Sequence, residues 1–250
     1  MHSLELFGVY WILASCAVLF AAFVRGVAGF GLALILAPIL LIILDPKSVV
    51  VVNLLLGVIS NIVVILYGFR NKYLNRIILM AASSLPGIAI GIWIITIIAP
   101  SFLKVIIGAI TILFVVPLTL GFARVFVRER LACGVSGFLS GILSSSTSLG
   151  GPPVVLLMHN QKWDKETIHS SLAVYFLFIC VCSLISLAVV GLVDVQTVIS
   201  AATLIPALLI GIGLGMVTFR RVNVRFFRML TLGIVVVTGI MGILSGLGVL

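Results

Sequence analysis

Ser144-Ser-Ser-Thr-Ser-Leu-Gly-Gly-Pro-Pro153 interrupts a chain that is otherwise almost continuous hydrocarbon. Glycine opens backbone conformations closed to other residues, and proline suits the first turn of a helix. Gly150-Gly151 followed by Pro152-Pro153 therefore predicts a helix that starts afresh after a non-helical break beginning at Ser144. A second interruption lies upstream, Phe23-Val-Arg-Gly-Val-Ala-Gly-Phe-Gly31, followed by an apolar run at 32–44. Those 13 residues make about 20 Å of helix, too short for a hydrocarbon core of ~30 Å.

The surroundings of both breaks are of membrane type. Of 250 residues, 63% are hydrophobic and 8% charged, with a mean hydropathy of +1.44. Soluble domains carry roughly 25% charged residues, so this much apolar surface has no aqueous solution. Residues 48–69, 77–99, 105–122, 169–193, 195–218 and 229–250 each approach or exceed the ~20 residues that a crossing helix needs. Short polar clusters join them, and no soluble domain fits between. The first 24 residues lack a basic opening and a small-residue cleavage site, which predicts a retained segment, not a signal peptide. The expected class is all-α, a polytopic membrane helix bundle that passes several times through the cell inner (plasma) membrane, with the lipid bilayer as its partner.

The net charge of +9 would suit a nucleic acid, but the basic residues are scattered over connecting loops, where the positive-inside bias puts them. No nucleic-acid partner is expected. Cys16, Cys133, Cys180 and Cys182 all lie in apolar stretches, and Cys180 and Cys182 face different sides of a helix. They read as small packing residues, with no disulfide framework, metal site or cofactor.

The chain repeats itself. An offset of 119 pairs Gly31 with Gly150, Asp45 with Asp164 and Ser48 with Thr167, and sets Arg25 opposite Ser144. An offset of 120 pairs Pro86 with Pro206 and Gly91 with Gly211, and at 124 Ser101-Phe-Leu-Lys104 meets Arg225-Phe-Phe-Arg228. The order and spacing of these pairs divide the chain into halves 1–125 and 126–250. With the loop of Arg70, Lys72 and Arg76 placed in the cytoplasm, twelve of fifteen basic residues fall inside, Lys47 and Lys104 fall outside, and Arg25 lies at or within the membrane. This requires residues 7–44 and 131–158 each to leave and return to one side, as broken hairpins. Each half then has one broken or re-entrant hairpin plus three transmembrane helices. An odd number of crossings inverts the second half relative to the first, a plan that recurs among secondary transporters.

A helix that starts inside the membrane points free N–H groups and a positive dipole end into whatever cavity it faces, a ready anion site. The residues expected to hold an anion are Arg25, Gly29 and Gly31 at the first break, and Ser145, Ser146, Thr147, Ser148, Gly150 and Gly151 at the second. Arg25 could instead snorkel to the interface. Asn53 and Asn61, eight apart, share a helix face, where buried amides more often bond another helix than a ligand. His159, Asn160 and His169 fall at a helix end, where capping is the plainer role.

With these residues in view, the sequence resembles the sulfite exporter TauE/SafE family. The resemblance rests on Gly26-Val-Ala-Gly-Phe-Gly31, Pro38 and Asp45-Pro-Lys47, then on Gly137-Phe-Leu-Ser-Gly141, Ser148-Leu-Gly-Gly-Pro-Pro153, Trp163-Asp-Lys-Glu166 and Ser170-Ser-Leu-Ala-Val-Tyr-Phe-Leu-Phe178. It covers nearly the whole chain. It departs at Leu32, where the family often continues its glycine run. The resemblance implies a transporter of sulfur-containing anions such as sulfite and sulfonates. The expected function is a secondary transporter for a small anion bound between the two breaks, with no catalytic residue. No Gly-x-x-x-x-Gly-Lys-Ser/Thr loop is present, so ATP is not the direct energy source within this chain. A passive anion channel is the nearest alternative. An intramembrane serine hydrolase using Ser144–Ser148 with His159 or His169 is a more distant one, since no Gly-x-Ser-x-Gly frames a nucleophile. A second copy of the chain in a homo-oligomer stays an open option among the partners.

Overall fold

The computed structural model describes residues 2–67, 73–120, 128–161 and 163–218, with 236, 240, 243 and 244. The expected span 229–250, apart from those four residues, and the basic residues Arg70, Lys72, Arg124, Lys162, Arg220, Arg221, Arg225 and Arg228 lie outside that set. Among the described residues every regular element is a helix: α1 (His2–Ala28), α2 (Leu32–Leu40), α3 (Pro46–Tyr67), α4 (Leu74–Ile97), α5 (Pro100–Leu120), α6 (Glu129–Thr147), α7 (Gly151–Asn160), α8 (Lys165–Val189) and α9 (Val195–Thr218). Trp11–Ala28 within α1, α3, α4, Glu166–Val189 within α8, and α9 are long and apolar enough to cross a bilayer. The chain is an all-α, multi-pass membrane protein.

Both expected breaks are present. α2 and α7 have 9 and 10 residues, only about 14 and 15 Å of helix. Two details differ from the sequence reading. The run after the first break leaves the helix at Leu40, because residues 41–44 turn into the Asp45 cap of α3. The second break starts at Ser148, not Ser144. The hydroxyls of Ser145, Ser146 and Thr147 donate to the Gly141, Ile142 and Leu143 carbonyls one turn back, which lets a polar run stay helical in an apolar setting.

Asp45 accepts from the Ser48 N–H at 3.0 Å at the start of α3, and Asp164, 119 residues on, accepts from the Thr167 N–H at 3.1 Å at the start of α8, so both residues cap their helices alike. Pro86 and Pro206 lie inside α4 and α9.

Glycines decide which helices touch. Gly137 and Gly141 of α6 lie against Met80 and Ser84 of α4, while Gly87 and Gly91 of α4 lie against Phe138 and Ile142 of α6. On α9, Gly211 and Gly215 lie against Leu19 and Phe23 of α1, and a Cβ on Gly26 would come within 2.8 Å of the Ile212 carbonyl oxygen. Residue numbers rise together in both pairs, so α4 runs parallel to α6 and α1 parallel to α9. Hydrophobic burial cannot drive helices together in lipid, and close backbone contact through small residues does so instead.

Three contacts fix the ends. Arg76 at the start of α4 bonds Glu129 at the start of α6 at 2.6 Å, and Tyr73 stacks on Trp163 just before α8, with ring centroids 4.2 Å apart. Ser48 and Thr197, in the first turns of α3 and α9, share a hydrogen bond of 3.2 Å. α3 and α8 cross at the centre as antiparallel neighbours: Gly57 packs on Cys180, and Arg25, bonded to Ser60 and Asn61, lies over Phe176. The α6–α7 hairpin thus belongs to the end where α4 and α8 begin, and the α1–α2 hairpin to the end where α3 and α9 begin.

Replacing Gly141 by Leu should force α4 and α6 apart and destabilise the protein by about 1–3 kcal/mol or more, as overpacking does. Gly134 has open space around it, and its replacement by Leu should change stability by only about 0.5 kcal/mol. Thermal unfolding of the two variants in detergent checks this; equal melting temperatures would refute the crossing.

Candidate functional site

The first break is built from glycines that must be glycine. The Gly29 N–H donates to the Arg25 carbonyl at 2.8 Å and closes α1, with φ +79, and Gly31 opens α2 at φ +104. Both angles lie in the left-handed region that disfavours any Cβ. The Gly29 site is also crowded, since an added Cβ would lie 2.8 Å from the His169 ring. At the second break Ser148 takes φ 61, a conformation that costs a non-glycine residue about 1–2 kcal/mol. Two hydrogen bonds offset this: Asn53 Nδ2 donates to the Ser148 hydroxyl at 3.0 Å, and the hydroxyl donates to the Thr147 carbonyl at 2.5 Å. Gly29 and Ser148, 119 residues apart, thus both take a left-handed turn.

Both breaks open on one cavity of about 60 Å³. Gly31 to Leu34 contribute the start of α2, and Ser148 to Gly151 contribute the start of α7. Asn53, Gly57 and Asn61 from α3 and Phe176 and Cys180 from α8 form the walls, with Arg25 and Ser144 from the two long hairpin arms. Asn53 and Asn61 lie about 10 and 22 Å along α3, whose 22 residues span about 33 Å, so the cavity occupies the middle of the bundle.

Arg25 is the charged side chain in this space and, among the described residues, the one charged group that is buried. Nε donates to Ser60 Oγ at 2.8 Å, one terminal nitrogen donates to the Gly29 carbonyl at 2.8 Å, and the other donates to Asn61 Oδ1. Its guanidinium carbon lies 5.5 Å from the centre of the Phe176 ring. These acceptors are neutral, and three bonds occupy three of five N–H groups. A guanidinium buried among neutral acceptors carries a desolvation penalty that an anion would relieve.

The helix starts differ in what they offer. Neither has a side-chain cap. The first N–H groups of a helix have no partner within it, so α2 presents those of Leu32, Ala33 and Leu34. In α7 the second and third positions are Pro152 and Pro153, which have no N–H, leaving Gly151 to face the cavity. The positive end is therefore concentrated at the first break, around Arg25.

Of the residues expected from the sequence, Arg25, Gly31, Ser148, Gly150 and Gly151 line the cavity together. Gly29 stands one layer behind, its carbonyl holding Arg25 and its Cα against His169. Ser146 and Thr147 are turned into their own helix, and Ser145 toward its own Gly141 carbonyl and the Ile88 carbonyl of α4, so their hydroxyl protons are held by carbonyls and not by a base. His159 Nδ1 bonds the Val155 carbonyl at 2.9 Å at the end of α7. Sequence reasoning passed over Ser60 and Phe176. The eight-residue spacing of Asn53 and Asn61 was the available signal for the α3 wall, and both amides combine interhelical bonding with a place on it.

The family model described as "Sulfite exporter TauE/SafE" matches residues 14–242, which include every element of this site. Neither the curated proteins nor the solved structures give a match to the chain.

Asn61→Leu removes an acceptor from a buried cation and should destabilise the protein by about 1–3 kcal/mol. Asn61→Asp keeps the acceptor and should unfold at or above the wild-type temperature. Thermal unfolding in detergent checks both; a harmless Asn61→Leu would show that Arg25 does not depend on this bond.

Proposed function

We propose that this chain, which belongs to the sulfite exporter TauE/SafE family, is a secondary transporter which binds a small anion between its two helix breaks and carries it across the cytoplasmic membrane. The observation that carries this reading is Arg25: a buried guanidinium bonded to neutral oxygens, at a mid-bundle cavity onto which an uncapped helix start also opens. A sulfur oxyanion or a sulfonate has the charge and the acceptor oxygens for both.

The halves 1–125 and 126–250 are read as an inverted repeat. Support comes from the shared N-caps at Asp45 and Asp164, the shared left-handed turns at Gly29 and Ser148, and the reciprocal parallel pairs α1–α9 and α4–α6. The same offset of 119 pairs cavity residues across the site, Arg25 with Ser144, Gly31 with Gly150, Gly57 with Phe176 and Asn61 with Cys180. In such repeats, rocking of one half against the other exposes a fixed midplane site to each side in turn. The buried polar groups among the described residues include no carboxylate. The membrane potential acting on the anion's own charge is then the simplest driving force, worth ~2.3 kcal/mol per charge per 100 mV.

Uptake by proteoliposomes of sulfite, sulfate, thiosulfate and sulfonates, with neutral solutes as controls, tests the reading. Anions should be taken up saturably and in counterflow, which a pore does not show. Arg25→Ala should lower that flux by about tenfold to a hundredfold, since a hydrogen bond to a charge is worth ~1.5–3 kcal/mol. Asn61→Asp should fold and fail to transport, because its carboxylate takes the place of the anion beside Arg25. A preference for neutral solutes, or unchanged flux in Arg25→Ala, would overturn the anion site.

A further inference from the structure

We infer that Phe176 sets the size limit of this site, which takes a compact inorganic oxyanion and excludes sulfonates with a bulky organic tail. The inference rests on the anion-transport reading above and goes on to say which anions fit. On the scale where one water needs ~10–15 Å³, a cavity of about 60 Å³ holds about four to six waters. Sulfite, sulfate and thiosulfate, with four or five heavy atoms, match that count, and an aryl sulfonate does not.

The ring of Phe176 accounts for the limit. It is buried, its centre lies 5.5 Å from the Arg25 guanidinium carbon, and its Cζ lies 3.7 Å from where a Cβ on Gly151 would stand. It therefore fills the gap between the cation of the first break and the start of the helix after the second. Its counterpart in the register, Gly57, has no side chain, and the α3 wall closes on α8 there, so that a Cβ on Gly57 would come within 3.1 Å of Cys180 Sγ. Behind the ring, Tyr175 is fully buried with its own ring 5.5 Å away. An anion seated on Arg25 thus meets an aromatic wall on the α8 side and a close-packed wall on the α3 side, and a tail of several carbons cannot extend past either.

Competition against labelled sulfite uptake in proteoliposomes is the test. With the wild-type chain, sulfate and thiosulfate should compete, and benzenesulfonate should be weaker by about tenfold or more, the penalty of a single misfitted methylene being already ~10-fold or larger. Phe176→Ala should narrow that gap by about tenfold, while Phe176→Tyr should keep it. Benzenesulfonate that competes as well as sulfate in the wild type overturns the size limit and leaves the anion site standing. So does an unchanged gap in a Phe176→Ala chain that still carries sulfite. No saturable uptake of any anion by the wild type removes the underlying site instead. If Phe176→Ala carries no sulfite, binding is read from the rise in thermal unfolding temperature that sulfite or benzenesulfonate gives the detergent-solubilised chain. Stabilisation by benzenesulfonate in Phe176→Ala or Phe176→Leu but not in the wild type supports the limit, and no gain in either variant overturns it.

Discussion

Hydrocarbon offers no partner to a free backbone N–H or C=O, so a break in a helix at membrane depth persists only where protein or a watery cavity meets the freed groups. The rest of this molecule is arranged around two such breaks. At the first, the Gly29 carbonyl is met by Arg25 and the Gly26 carbonyl by His169 at 3.2 Å. At the second, the Gly150 carbonyl is met by Ser140 at 2.5 Å and the Thr147 carbonyl by Ser148. Carbonyls are thus largely satisfied within the protein, and the uncapped N–H groups of α2 and α7 are left facing the shared cavity. An arrangement that answers its acceptors and leaves its donors open is suited to a ligand rich in acceptors.

That arrangement needs a frame that holds two hairpins from opposite ends against one centre. The glycine crossings provide it. Because α1 lies on α9 and α4 on α6 at backbone contact, each long hairpin arm is clamped to a full-length helix from a distant part of the chain. The central α3 and α8 are left free to present their side chains to the cavity. Arg25, Asn61 and Phe176 come from three different helices, and the position of each depends on that clamp.

The chemistry of the two breaks is less symmetric than their sequences suggest. The serine-rich second break looks the more polar, yet Ser145, Ser146 and Thr147 spend their hydroxyls on helix carbonyls, and Pro152 and Pro153 remove donors that a helix start would otherwise offer. The plainer first break holds the cation and the fuller set of N–H groups. A single charged pole opposite a neutral one would give an anion bound there a preferred orientation and end.

Hydropathy, glycine and proline placement, and the register of the repeat are properties of the chain itself. They were enough to determine an all-α membrane bundle, both breaks, and Arg25 as an odd charge near the first break; that Asp45 and Asp164, paired in the sequence, cap their helices came from the structure. These features are local or periodic, and a bilayer leaves a backbone few alternatives. What the sequence could not supply was whether Arg25 faces lipid headgroups or the interior, that Asn61 and Ser60 hold it there, and that Phe176 lines the cavity beside it from 151 residues further along the chain. Those contacts join residues far apart in sequence through helix crossings. A crossing is set by backbone approach at glycines on both partners at once, and no single helix carries that information.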